Sequence, residues 1–255
     1  MQTIKLTVKE GLAIITLNRG RSNAMNKEMI TELGEAFQNI AADNSIGGVI
    51  ITGNDGFFSA GLDLIELYDY DQQQAEDFWH LFLNFTATIT AFKKPLVAAI
   101  NGHSPAGGCV IALACDYRIM AEGKYIIGLN EVPVGIIVPE SIFQLYAFWL
   151  GKGLASRSLL EGKLFHPAEA AEAGLIDEVV NAESILTAAE RRIRKYMQME
   201  PNTWQQSKLN IRKELISITS QDQSEDLRKM LVQWWEPSTR NILKMIINNL
   251  QQKKG

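Results

Sequence analysis

Residues that usually build covalent or metal-centred chemistry are scarce in this chain. Its 255 residues include two cysteines, Cys109 and Cys115, and three histidines, His80, His103 and His166. Both cysteines fall in the apolar central stretch, where small buried thiols of a reducing compartment are expected rather than a disulfide or a metal pair. None of the histidines has a carboxylate or serine at a spacing that suggests a triad, which leaves a serine hydrolase without support. The phosphate-loop pattern Gly-x-x-x-x-Gly-Lys-(Ser/Thr), the dinucleotide pattern Gly-x-Gly-x-x-Gly and paired Cys-x-x-Cys motifs do not occur, so those sites are not expected. Seven prolines and no low-complexity tract argue against extended disorder. A formal charge of −4 is too mild to point to nucleic acid or an acidic membrane surface. Apolar runs stay well short of the ~20 residues that span a bilayer. Because Met1-Gln2-Thr3-Ile4 is already strand-like, neither a signal nor a transit peptide is expected.

What is present is apolar: 46% of residues are hydrophobic, enough for a substantial core. Thr3 to Lys9 alternates, Gly11 turns the chain, and Leu12 to Leu17 gives a second strand, so the chain opens as a hairpin. Asn26 caps a helix from Lys27 to Ala42 with Ile30, Leu33, Phe37 and Ile40 on one buried face. Gly47 to Thr52 reads as a buried strand, and Gly53-Asn54-Asp55-Gly56 as a turn. A helix spans Asp71 to Phe92. After a strand at Pro95 to Ile100, the chain breaks at Asn101-Gly102 and restarts as a helix at Ala106-Gly107-Gly108. The Gly107 and Gly108 amides then sit at a helix N-terminus, without intrahelical acceptors and in a partial positive field suited to an oxyanion. Glu131, between Leu129 and Val132, carries a carboxylate into a poorly hydrated place, where desolvation raises its pKa toward values useful for proton transfer. Helices continue from Pro139 to Trp149 and from Gly153 to Glu161. A short helix follows His166, then a strand over Leu175 to Val180, and Glu183 to Lys254 is almost wholly helical with breaks at Pro201 and Pro237.

Five segments in order carry a family resemblance: F-S-A-G-L-D-L from Phe58 to Leu64, I-N-G from Ile100, P-A-G-G-C from Pro105, C-D-Y-R-I from Cys115 to Ile119, and I-G-L-N-E from Ile127 to Glu131. The chain resembles the enoyl-CoA hydratase/isomerase (crotonase) family, and within it the mitochondrial-type Δ3,Δ2-enoyl-CoA isomerases, over nearly all its length to the K-K-G terminus. The resemblance implies an α/β fold, a crotonase-type spiral of ββα turns with a C-terminal α-helical trimerisation region. On this basis residues 1–200 form the spiral core with the acyl-CoA site and 201–255 the helical oligomerisation region, assembled as a homotrimer or a dimer of trimers. The implied substrate is a fatty acyl-CoA thioester. No separate cofactor is expected, coenzyme A being part of the substrate, and neither nucleic acid nor membrane is an expected partner. The compartment is a bacterial cytoplasm, or the mitochondrial matrix for a processed eukaryotic chain.

The same resemblance makes the Leu62 and Gly107 amides the two halves of an oxyanion hole and Glu131 the acid/base. Substrate contacts fall on Ala60, Gly61, Leu62, Asp63, Leu64, Gly107 and Asn130. Arg19 or Arg21, in the loop Asn18 to Asn23, stands near phosphate on the coenzyme side, or the loop is simply solvated. Asp63 also reads as a helix N-terminal carboxylate. Hydratases of the family carry two glutamates; the first position, directly after G-G-C, holds Val110 here, and the second is Glu131. A single base favours the isomerase, moving a proton from C2 to C4 of a 3-enoyl-CoA. Alternatives are a hydratase or dienoyl-CoA isomerase that adds Glu140, or a non-catalytic acyl-CoA or RNA-binding relative. Glu140 also reads as a first-turn helix carboxylate after Pro139.

Overall fold

The computed structural model describes residues 1–252; Lys253-Lys254-Gly255, where the resemblance ends, lies outside them. The hairpin forms as expected: β1 (Ile4–Lys9) pairs antiparallel with β2 (Leu12–Leu17) around Gly11, which takes φ +72°. Helix α1 (Lys27–Ala42) is capped by Asn26, whose side chain accepts from the Met29 amide, and it buries Ile30, Leu33, Phe37 and Ile40. Next come β3 (Gly48–Thr52), β4 (Gly56–Phe57), the short α2 (Leu64–Tyr68) and α3 (Gln72–Thr90). Asp71 and Gln74 close a capping box at the start of α3, which fixes where that helix begins.

The centre runs β5 (Leu96–Ile100), β6 (Gly102–Pro105), α4 (Gly107–Ala114), β7 (Tyr117–Ala121) and β8 (Ile127–Gly128), then a 3-10 turn at Val132–Val134. Beyond it lie α5 (Glu140–Leu150), α6 (Lys152–Glu161), α7 (Pro167–Glu172), β9 (Glu178–Val180), α8 (Ile185–Met197), α9 (Pro201–Ile211), α10 (Lys213–Ser220), α11 (Ser224–Trp235) and α12 (Pro237–Gln252). Six strands form one sheet in the order β1-β2-β3-β5-β7-β9, parallel after the first pair, and β4-β6-β8 form a second, smaller one. The three middle turns, β3-β4, β5-β6 and β7-β8, each give one strand to each sheet before a helix returns over them.

The small sheet corrects the sequence expectation. The turn before Gly56 and the break at Asn101 form as expected, but Gly56 and Gly102 at their ends are paired strand residues. Strands of two to four residues carry no readable alternation. The pairing is also unusually close: a Cβ on Gly102 would lie 2.1 Å from the carbonyl carbon of Gly56, so only glycine fits there. Tyr117 to Gly128 holds two strands, β7 in the large sheet and β8 in the small one.

The prolines of the tail start helices rather than merely interrupting them. Pro201 and Pro237 each open a helix, where the missing amide costs nothing, and further breaks fall at Arg212 and near Asp222. The tail packs on its own chain: α10 lies on α3 and α5, α11 on α3, and α12 on α2. Trp234 is buried edge-to-face on Trp79, as a core residue. Cys109 and Cys115 are free, buried thiols.

Candidate active site

The site is built where the two sheets hand over to helices. β4 leads into Phe58-Ser59-Ala60, and a turn at Gly61, with φ +89°, swings the chain toward α2. In that turn the amide of Ala60 donates to Ser22 O (2.8 Å), that of Gly61 to Ser59 Oγ (3.1 Å) and that of Asp63 to Met25 O (2.9 Å). The Leu62 amide lies between them and, among the described residues, has no acceptor. Neither has Gly107, the first residue of α4. The two segments are in contact, since a Cβ on Gly61 would stand 3.1 Å from the Gly107 nitrogen.

Ala106 makes this possible at a cost. It sits at φ 50° and ψ −125°, a sparsely populated conformation for a residue with a side chain, which stores on the order of 1–3 kcal/mol. The kink turns the chain from β6 into α4 and brings the Gly107 amide to the cavity. Its own N–H is held by Gly128 O at 2.8 Å, which ties α4 to β8 and therefore to the segment bearing Glu131.

A cavity of about 690 Å³ opens between these elements. Ala60, Leu62, Asp63, Leu64, Gly107, Val110, Asn130 and Glu131 all line it, so the structure brings together the residues expected from sequence, with one exception. Gly61 is buried behind the wall and shapes the turn without facing the space. The apolar walls come from Trp79 and Phe82 of α3, Ile142 of α5, and Ile246 and Leu250 of α12. The contribution of α12 was not anticipated, because nothing in an amphipathic tail distinguishes a residue facing a cavity from one facing a core.

Glu131 is partly covered overall, but its Oε2 is fully buried and has no hydrogen-bond partner among the described residues. Burial pushes its pKa up to about 7; the Glu131 and Asn130 amides pull it partly back. The carboxyl group is therefore poised to exchange a proton near neutrality. Asp63 is engaged by hydrogen bonds and an ion pair. Its Oδ1 accepts from the Ile65 and Glu66 amides at the start of α2, and Arg19 Nη1 reaches its Oδ2 at 2.7 Å. Arg19 is shared with Glu66 at 3.2 Å, so its charge is committed within the fold, whereas Arg21 is exposed at the rim of the cavity.

Glu140 is placed elsewhere. Its side chain is exposed on the first turn of α5, accepts from Gln144 Nε2 at 3.3 Å, and borders a separate groove with Asp226 and Lys229. This is the first-turn helix carboxylate after Pro139, and the alternative that adds Glu140 to the acyl site finds no support, since Ile142 lines the cavity and Glu140 does not. The histidines also stand apart: His103 packs between Phe57 and Tyr125, His166 begins α7, and His80 sits on α3 near Glu76. Asn23 is a functional support that sequence reading missed. Buried at φ 48°, it donates to Phe57 O and Phe58 O and takes a hydrogen bond from the Arg19 amide, which clamps the loop against the Gly61 turn.

The family model described as Enoyl-CoA hydratase/isomerase matches residues 7–244. The chain belongs to the enoyl-CoA hydratase/isomerase family. Among curated relatives, mouse "Enoyl-CoA delta isomerase 1, mitochondrial" is 35% identical over 247 residues, covering 96% of this chain and 86% of the relative. The human protein of the same name is 34% identical over the same share of this chain and 82% of its own. The "2,3-dehydroadipyl-CoA hydratase" of Escherichia coli is 32% identical over 83% of this chain and 82% of the relative. Among solved structures, that of human mitochondrial delta3-delta2-enoyl-CoA isomerase superposes with a TM-score of 0.96 at 32% identity, covering all of both chains. The crotonase spiral described above is thus the fold of the family.

Proposed function

We propose that the chain is a Δ3,Δ2-enoyl-CoA isomerase that uses Glu131 as a single shuttling base. The observation that carries this reading is the charge inventory of the cavity. Of its two acids, Asp63 is spent on Arg19 and the α2 amides, while Glu131 is free and faces the same space as Val110. Ionised Glu131 takes a proton from C2 of a 3-enoyl-CoA. The electron pair left behind delocalises onto the thioester oxygen, where the Leu62 and Gly107 amides meet it; preorganised donors of this kind are worth about 10²–10³ in rate each. Returning the proton to C4 moves the double bond to C2–C3 and restores the glutamate. The likeness to the isomerases at 34–35% identity supports the same reaction.

Hydration would need a second acid to activate water. Val110 offers none, and Glu140 lies outside the cavity. Ala60, Leu62, Leu64 and Asn130 form the contacts around the thioester, and exposed Arg21 takes the coenzyme phosphate in place of Arg19. We assign a trimer through the 201–255 region, where Ile211, Val232 and Met245 are 71%, 58% and 60% exposed. Sedimentation at about three times the 28.5 kDa chain mass is the check on that assignment.

The reaction itself is tested by supplying purified protein with 3-hexenoyl-CoA and with 2-hexenoyl-CoA and following the conjugated thioester and the hydrated product separately. Conversion of the first without hydration of the second is expected. Hydration as fast as isomerisation overturns the choice of reaction.

A further inference from the structure

On three neighbouring segments, buried side-chain oxygens lack hydrogen-bond partners among the described residues: Glu131 Oε2, Tyr146 Oη and Ser158 Oγ. They come from three elements packed in sequence. Tyr146 is fully buried on α5, Ser158 is 1% exposed on α6, and α6 ends against the Glu131 segment, where a Cβ on Gly162 would lie 3.5 Å from Asn130 Cα. Ser158 is one turn before Gly162 and so shares its face. The Leu129 amide and the Ser158 hydroxyl both approach the phenol oxygen without closing a hydrogen bond. An unpaired buried hydroxyl is costly, and native structures rarely keep three together without a purpose.

We propose that Tyr146 is a positioning residue for Glu131, its hydroxyl oriented by Ser158 and donating to Oε2 through one buried water. The three oxygens together would supply the two to four partners such a water needs. The other titratable group near Glu131 is the Cys109 thiol from α4, pushed up by burial and by the Glu131 charge and partly offset by Arg118. Neither Ser158 of α6 nor the apolar α12 wall adds a charge. The donated hydrogen bond favours the carboxylate form, so it sets how much of Glu131 is ionised at neutral pH. This role rests on Glu131 being the base of the proposed reaction.

The test is Tyr146→Phe, which removes one oxygen and keeps the ring, with Ser158→Ala beside it. For Tyr146→Phe the rising limb of kcat/KM against pH should move up by about 0.5–1 unit, so activity at pH 6 falls ~3–10-fold while KM at pH 9 changes less than ~2-fold. Ser158→Ala should give a smaller shift in the same direction. A merely structural role would change the melting temperature and leave the limb in place, and that result overturns the proposal. Infrared titration of the Glu131 carboxyl band, identified by its loss in Glu131→Gln, reads the same shift without substrate. The band shift therefore stands or falls even if the isomerase assay fails.

Discussion

Gly61 and Gly107 are in backbone contact: a methyl group on Gly61 would sit 3.1 Å from the Gly107 nitrogen, and one on Gly107 3.4 Å from the Gly61 Cα. The two amides proposed to hold the enolate are thus placed by glycines that touch one another. Gly61→Ala would add a side chain at φ +89° and push against the Gly107 amide. Such strain costs on the order of 1–3 kcal/mol, and displacing one oxyanion donor costs about 10²–10³ in kcat. Turnover of 3-hexenoyl-CoA by a folded Gly61→Ala protein should fall within that range. Full activity would show that the contact is not part of the machinery.

Glu131 links activity to stability through the same carboxyl. Its pKa in the fold, about 7, exceeds that of the unfolded chain, so the folded state holds the proton more tightly. Ionisation therefore destabilises the fold: the penalty is absent below pH ~4.5, grows as pH rises toward 7, and levels off near 3 kcal/mol, an order-of-magnitude figure at 1.36 kcal/mol per unit. Activity runs the opposite way, rising with the ionised fraction to half its plateau near pH 7. Glu131→Gln should lower turnover by about 10²–10⁴ and gain stability over wild type only as pH climbs through this window. Denaturant unfolding at pH 5 and pH 8.5, with assays of both proteins, checks the pair of expectations. An equal stability difference at both pH values would contradict it.

Long elements with their own caps were legible in the sequence. Asn26 and Asp71 announce α1 and α3, and the β-branched run before Gly53 announces β3, because these signals are local and repeated over many residues. The small sheet was not legible. Its strands are held by pairing between residues nearly fifty positions apart, such as Gly56 with Gly102, and no local period records that. The site divides in the same way. Leu62 was named because its motif matches a family pattern, and Gly107 and Glu131 also because a helix N-terminus and an apolar setting are local signals. Asn23 and Ala106 act through tertiary placement alone, as Tyr146 would in the role proposed for it, and their residue types say nothing of it.

The tail also holds the far end of α4, a role visible only in three dimensions. Arg212, between α9 and α10, donates to Ala114 O at 2.6 Å and Cys115 O at 2.8 Å, and pairs with Asp116 at 3.2 Å. It thereby satisfies carbonyls that the end of α4 leaves unpaired. Arg212→Met keeps the volume but strands those acceptors. Asp116 retains Lys208 at 2.7 Å, so the loss should fall toward the low end of the cost of breaking a buried pair, about 3 kcal/mol. Unfolding in urea measures it, and a change under about 1 kcal/mol would mean that the contact is incidental.

Val110 and Glu131 line the same cavity. Val110 lies on the first turn of α4 and is 1% exposed. Val110→Glu would put a second acid there, in a poorly hydrated pocket, where two like charges cannot both ionise at little cost. One should hold a proton near neutral pH, giving the acid and base pair that hydration requires. A measurable gain in hydration of 2-hexenoyl-CoA over wild type is expected, far below a dedicated hydratase because no supporting shell orients the new side chain. Isomerisation should fall at the same time, since a charged wall changes the shuttle's surroundings. If the variant folds, isomerises as before and hydrates nothing, Val110 is only packing, and the choice between the two reactions is made elsewhere in the site.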